Sequence, residues 1–150
     1  MPTTLKDEAA VVGIGQTEFS KNSGRSEVQL AAEAVKAAIE DAGLAPSDVD
    51  GMTSFTLDST DEIELARTVG IGDRTFFSCV PHGGGAAIGV VHHAVMAIAT
   101  GSAEAVVCYR ALNGRSGQRY SSGVMEGPTT SDAIHWSWYM PWGLMTPASW

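Results

Sequence analysis

The chain has 150 residues, 44% hydrophobic and 17% charged, which is one domain's length with enough apolar side chains for a packed core. Its net charge of −8 argues against a general nucleic-acid partner, and no stretch approaches the roughly 18–20 uninterrupted apolar residues of a membrane span. Met1 to Glu8 lack the basic and apolar regions of a signal peptide, and Cys79 and Cys108 make no disulfide framework, so the sequence predicts a protein of the reducing cytoplasm.

Ala9–Gly15 is a short apolar run bounded by glycine and is expected to be a buried strand, since strands covered on both faces lose the apolar–polar alternation. Ser26 and Gln29 have capping-box spacing, and Val28, Ala31, Ala32, Val35, Ala38, Ile39 and Ala42 recur at helical intervals until Gly43. Pro46 to Gly51 is turn chemistry, followed by a weaker extended segment from Met52 to Leu57 and a short helix over Asp61–Val69. Thr75–Val80 has strand composition, Pro81–Gly85 is a turn, and Ala86–Thr100 is a long apolar helix closed by Gly101. Glu104–Tyr109 is a further strand. Strands alternating with helices predict a mostly parallel sheet with right-handed crossovers, in a layered helix–sheet–helix α/β fold.

After Arg110 the character changes. Asn113 to Gly127 is rich in Gly, Ser and Arg without period and reads as an irregular loop region. Residues from Ser131 onward hold all four tryptophans, Trp136, Trp138, Trp142 and Trp150. The last residues, Met145 to Trp150, read as the start of a helix. The expected organisation is a βαβαβαβ core over 1–110 and a loop segment over 111–150, with more chain to follow.

The strand–turn–helix of Phe76–Thr100 carries a family resemblance. Val80-Pro81-His82-Gly83-Gly84-Gly85-Ala86-Ala87, with the helix behind it and Gly101 to Cys108 after it, resembles the nucleophile segment of thiolases. In that family a cysteine sits at a strand end before a glycine-rich helix start, where the helix N-terminus favours its thiolate. The register set by Gly83 places Val80 on the nucleophile position and Cys79 one residue early. Ala34–Asp50, and the opening run with Gly15-Gln16-Thr17-Glu18-Phe19, are similar to the same family. Tyr109–Arg119 resembles the lipid-transfer branch related to sterol carrier protein X, closest to steroid side-chain aldolases.

That resemblance implies a thiolase-like N-terminal portion of a retro-aldolase acting on a β-hydroxyacyl-CoA, with coenzyme A as part of the substrate and no cofactor of its own. It also implies a zinc-ribbon/OB-fold partner of the DUF35 kind, and a homodimer through the Thr75–Val80 strand and the helix after it. Valine closes the covalent acyl-enzyme route at its position. The family's remaining catalytic groups come from a C-terminal half that these residues do not include, so the 150 residues alone are expected to be inactive.

The other candidate residues carry two readings each. Cys79 is either a displaced nucleophile, which makes the protein an acyltransferase, or a buried strand cysteine. His82 either acts as an acid–base group facing the acyl pocket or bonds the turn or the dimer partner. Gly83, Gly84 and Gly85 supply backbone N–H donors for an anion or a thioester oxygen, pack helix against strand, or both. Arg115, with Arg110 and Arg119, either meets the acidic groups of coenzyme A or a partner subunit, or is solvated. His92 and His93, adjacent on a helix, point about 100° apart and cannot share a metal, and no metal-ligand spacing occurs elsewhere. A non-catalytic lipid-transfer or scaffold role is the remaining alternative.

Overall fold

The computed structural model describes residues 5–55, 60–80, 85–113 and 140–143. Ser26 starts the first helix, α1 (Glu27–Asp41), as its spacing predicts. Its hydroxyl accepts from the Gln29 N–H at 3.2 Å, while the Gln29 side chain accepts from the Ser26 N–H at 2.9 Å. The helix stops where Gly43 takes φ +68° and the Leu44 N–H reaches back to the Ile39 carbonyl at 3.1 Å. A left-handed residue there lets the chain turn back over its last carbonyls without a Cβ clash.

A 3-10 turn (Pro46–Asp48) leads into β1 (Gly51–Phe55). Asp61 then caps α2 (Glu62–Val69), accepting from the N–H groups of Ile63 and Glu64 at 2.8 and 3.0 Å. β2 (Phe76–Val80), α3 (Ala86–Ala99) and β3 (Val106–Tyr109) complete the core, and a further 3-10 turn covers Met140–Trp142.

The three strands form a parallel sheet in the order β2-β1-β3. Register partners share a face, because side chains alternate along a strand. Met52, Phe77 and Val107 therefore stand on one side, and Thr53, Ser78 and Cys108 on the other. α1 and α2 cover the first side, where Leu30, Val35, Ile39, Met52, Leu65 and Tyr109 form the main core. Met52 and Leu65 at its centre are fully buried. α3 covers the second side with a thinner cluster of Val80, Ala86 and Val90. The layered helix–sheet–helix arrangement is the expected one.

The leading strand is not. Ala9–Gly15 takes no place in the sheet and lies along α1 instead. Gly13 and Gly15 bring its backbone so close that a Cβ on them would stand 2.2 Å from the Ala38 carbonyl oxygen and 2.0 Å from that of Ala34. The Ile14 N–H donates to Asp41 at 2.8 Å, and Val11 and Ile14 are left 76% and 74% exposed. An apolar run bounded by glycines specifies an extended backbone, but not whether that backbone bonds to a strand or rests on a helix. The described core is thus αβαβαβ rather than βαβαβαβ. The loop region expected over 114–139, and the helix start expected near Met145, lie outside the described residues.

Asp50 ties the strands together at their amino ends. Its carboxylate accepts from the N–H groups of Glu104 and Ala105 at 2.9–3.0 Å, and its carbonyl accepts from the Thr75 N–H at 2.8 Å. Its own N–H donates to the Ala105 carbonyl at 3.1 Å. One residue before the central strand thereby aligns both neighbours.

Two substitutions test these contacts. Gly15→Ala forces the 9–15 run off α1 and is expected to destabilise by about 1–3 kcal/mol or more, the usual cost of overpacking, read as a lower urea midpoint. Asp50→Ala strands two N–H groups and is expected to cost about 1–3 kcal/mol, with Asp50→Asn, which keeps one acceptor oxygen, losing less in the same titration.

Candidate functional site

Open parallel sheets bind ligands outside the carboxyl ends of their strands, where chain turns and helix N-termini converge. Here those ends are Phe55, Val80 and Tyr109, and α3 starts just after the β2 end with Gly85 as its cap. The Gly85 carbonyl accepts from Ile88 and Gly89 at 3.1 and 3.2 Å, which forms the first turn.

Val80 is the last residue of β2 and packs against Ala86 and Val90. Gly89 makes room for it, since a Cβ there would stand 3.0 Å from Val80 Cγ1. An aliphatic side chain thus faces the start of α3, where the resemblance expects a nucleophile. His82, Gly83, Gly84 and Arg115 lie outside the described residues.

Cys79 is not the buried strand cysteine that its residue type predicts; it is exposed. It lies on an outer strand of the sheet as the partner of Ser54, beside Phe77, itself 42% exposed. Alternation turns its side chain to the face opposite Val80, away from α3 and the electropositive start of that helix. The start of α3 therefore does not act on the Cys79 sulfur as it would on a side chain at the Val80 position. Cys108 sits on the α3 face with its sulfur 4.0 Å from the Val90 carbonyl. The residue as a whole is exposed, yet its sulfur is tucked in enough that burial pushes the thiol up from its ordinary value, with a hydrogen bond to Thr53 opposing the shift.

Arg110 follows β3 and is exposed, as expected of a loop arginine. It borders a cavity of about 440 Å³ with Gln16, Phe19, Leu30, Ala34 and Asn113. Asn113 anchors that side to the start of α1, donating from its side chain to the Arg25 carbonyl at 2.8 Å and from its backbone to Glu27 at 3.2 Å. The Arg25 guanidinium pairs with Glu18 and Glu33, joining the opening segment to α1. The cavity is lined by apolar and polar side chains alike, but it lies by the end of β3, beyond the residues that the sequence singled out around β2.

Sequence reasoning missed one pair. His92 is exposed, but His93 turns inward and its Nδ1 lies 2.6 Å from Ser78 Oγ. Beside it Thr53 donates to the Val90 carbonyl at 3.2 Å. Strand alternation and helical spacing place Ser78 and His93 on facing sides, but their contact depends on where the helix crosses the strand. Ser78 stands at the middle of β2 beneath the helix, away from the strand end where a nucleophile would meet substrate. Among the described residues no three His, Cys, Asp or Glu side chains gather to hold a metal ion, and no helix is long and apolar enough to cross a membrane.

No protein-family model matches the chain. It is 58% identical over 150 residues to a steroid side-chain-cleaving aldolase of Thermomonospora curvata, spanning 99% of this chain and 38% of that protein. It is 55% identical over 149 residues to a 17-hydroxy-3-oxo-4-pregnene-20-carboxyl-CoA lyase of Mycobacterium tuberculosis, spanning 97% of this chain and 38% of that one. Among solved structures, an Ltp2-ChsH2(DUF35) aldolase superposes with a TM-score of 0.75 at 60% identity, over 94% of this chain and 35% of the other. A monomeric SCP2-thiolase-like protein type 1 from Mycobacterium smegmatis follows at 0.54 and 28%, over 65% and 22%. The chain thus spans about 38% of the length of the curated relatives it matches.

The two thiols are expected to differ in reactivity. Cys79 labels readily with a thiol reagent at neutral pH, and Cys108 labels slowly because its thiolate forms only at higher pH, a difference that peptide mapping of a labelling time course reads directly. The Cys108 shift also sets a sign for stability. As pH rises past the thiol's ordinary value, the unfolded chain gives up its proton first, so Cys108 lowers stability there and has no such effect below it.

Proposed function

We propose, from homology to steroid side-chain-cleaving aldolases over nearly all of its residues, that this chain is the thiolase-like portion of a lyase that cleaves a carbon–carbon bond of a β-hydroxyacyl-CoA. The observation that carries the reading is the 58% identity spanning 99% of the chain. The substrate is a steroid or similar side chain carried as its coenzyme A thioester.

The reaction is a retro-aldol cleavage. A base takes the proton of the β-hydroxyl, the bond between the α and β carbons breaks, and its electron pair passes to the thioester as an enolate. Protonation of the α carbon then gives a shorter acyl-CoA and leaves a carbonyl product. This chemistry needs donors for the enolate oxygen rather than a nucleophile. Val80, standing on the thiolase nucleophile position, fits that need, because its side chain packs on Gly89 and Val90 and closes the covalent route. Gly83 and Gly84, between β2 and α3 in sequence, are assigned as backbone donors to the thioester oxygen, and His82 as an acid–base group beside them. Arg115 is assigned to the acidic groups of coenzyme A. The remaining catalytic groups belong to residues beyond this stretch.

A DUF35-type zinc-ribbon/OB-fold protein is the proposed partner, supported by the solved aldolase that carries such a protein in its name. A homodimer through β2 and α3 is proposed on the outer position of β2 in the sheet and the apolar outer side of α3, where Ile88 is 75% and Val91 43% exposed. An acyl-CoA substrate assigns the protein to the cytoplasm. No cofactor beyond the substrate's coenzyme A enters the scheme.

The test is made on the complete protein with its partner, supplied with a steroid β-hydroxyacyl-CoA. Release of a shorter acyl-CoA, undiminished in Cys79→Ala, is the expected result. Acyl transfer lost in Cys79→Ala would establish the acyltransferase reading instead, and partner binding without turnover would establish a scaffold.

A further inference from the structure

Helix α3 rests on the sheet through small side chains. Its buried residues are Ala86, Val90, Ala94 and Ala97, and among the described residues the apolar cluster beneath it is Val80, Ala86 and Val90. Alanines facing a sheet interdigitate little, so apolar packing alone sets the position of such a helix along its axis weakly. A slide by one residue moves it 1.5 Å.

Two directional contacts supply what the packing lacks. Thr53 on β1 donates to the Val90 carbonyl at 3.2 Å, and Ser78 on β2 meets His93 Nδ1 at 2.6 Å. Thr53 and Ser78 are register partners on adjacent strands, while Val90 and His93 are three residues apart on one side of the helix. Tied to two strands at neighbouring points, the helix can neither slide nor roll without breaking both bonds, which weaken steeply once stretched or tilted. The ties lie one to two turns from the start of α3, and the helix is stiff over that span.

We propose that Ser78 and His93 are a positioning pair that fixes α3 along its axis and so sets the place of its first turn at the carboxyl end of β2. This deepens the lyase reading and rests on it, since that turn follows directly in sequence on Gly83 and Gly84, to which the thioester-oxygen donors are assigned. A donor displaced by about 1 Å loses its bond to an enolate oxygen more than its hold on the bound substrate, so the defect falls on kcat and not on KM.

The test compares Ser78→Ala, His93→Gln and His93→Asn in the complete enzyme with its partner. Asparagine carries a polar atom near the place of Nδ1, whereas glutamine carries it near Nε2 and leaves Ser78 without its contact. Ser78→Ala and His93→Gln are expected to lower kcat by roughly ten- to a hundredfold with KM nearly unchanged, while His93→Asn keeps most of the activity. Amide exchange at Ile88 and Gly89, in the first turn, should quicken in the two defective variants and stay slow in His93→Asn. The proposal is overturned if His93→Gln matches His93→Asn in both readouts, or if exchange quickens with kcat unaffected. Should Ser78→Ala not fold, the two His93 variants carry the comparison by themselves. Should the wild-type complex show no lyase activity, the lyase reading fails, and exchange alone then decides whether the pair fixes the helix.

Discussion

The sheet is organised by one carboxylate. Parallel strands cannot be joined by tight hairpins, so their amino ends need some other device to bring them level. Asp50 provides it, with its side chain on Glu104 and Ala105 and its carbonyl on Thr75, so that β2 and β3 start flush with β1. Strands that start level and run five, five and four residues also end close to level. Their carboxyl ends then form the edge at which Val80, the start of α3 and Arg110 gather.

The two faces of the sheet are built differently, and the difference bears on function. Under α1 and α2 lies a deep core of large side chains around Met52 and Leu65, which specifies position through shape. Under α3 lies a row of polar side chains, Ser78, Thr53 and Cys108, meeting a helix of small residues. The first face supplies stability. The second supplies location, because hydrogen bonds have direction where methyl contacts have little. The helix held this way is the one whose first turn borders the proposed acyl site.

The chain spans about 38% of the length of the curated relatives it matches, and several of its surface side chains are apolar. α3 exposes the apolar Ile88 and Val91 beside His92 on its outer side. The exposed Val11, Val12 and Ile14 on the opening segment have the same character. Grouped apolar side chains of this kind are the material of protein–protein contacts.

Much of the fold was legible from local rules. The capping box at Ser26 and the glycines Gly43 and Gly101 that close α1 and α3 are short-range chemistry, and they appear where the spacing puts them. The likeness of Val80-Pro81-His82-Gly83 to thiolases and of Tyr109–Arg119 to steroid side-chain aldolases agrees with the relatives, because such motifs keep residue types in a fixed order. The sequence by itself thus determined the three helices and the three strands of the sheet, the layered α/β class and the family likeness. Tertiary structure alone decided three things: that Ala9–Gly15 rests on α1 instead of joining the sheet, that Cys79 is exposed, and that His93 meets Ser78. Each depends on which surfaces face one another across many residues of chain. Helical and strand periodicity report only what lies on the same side of one element.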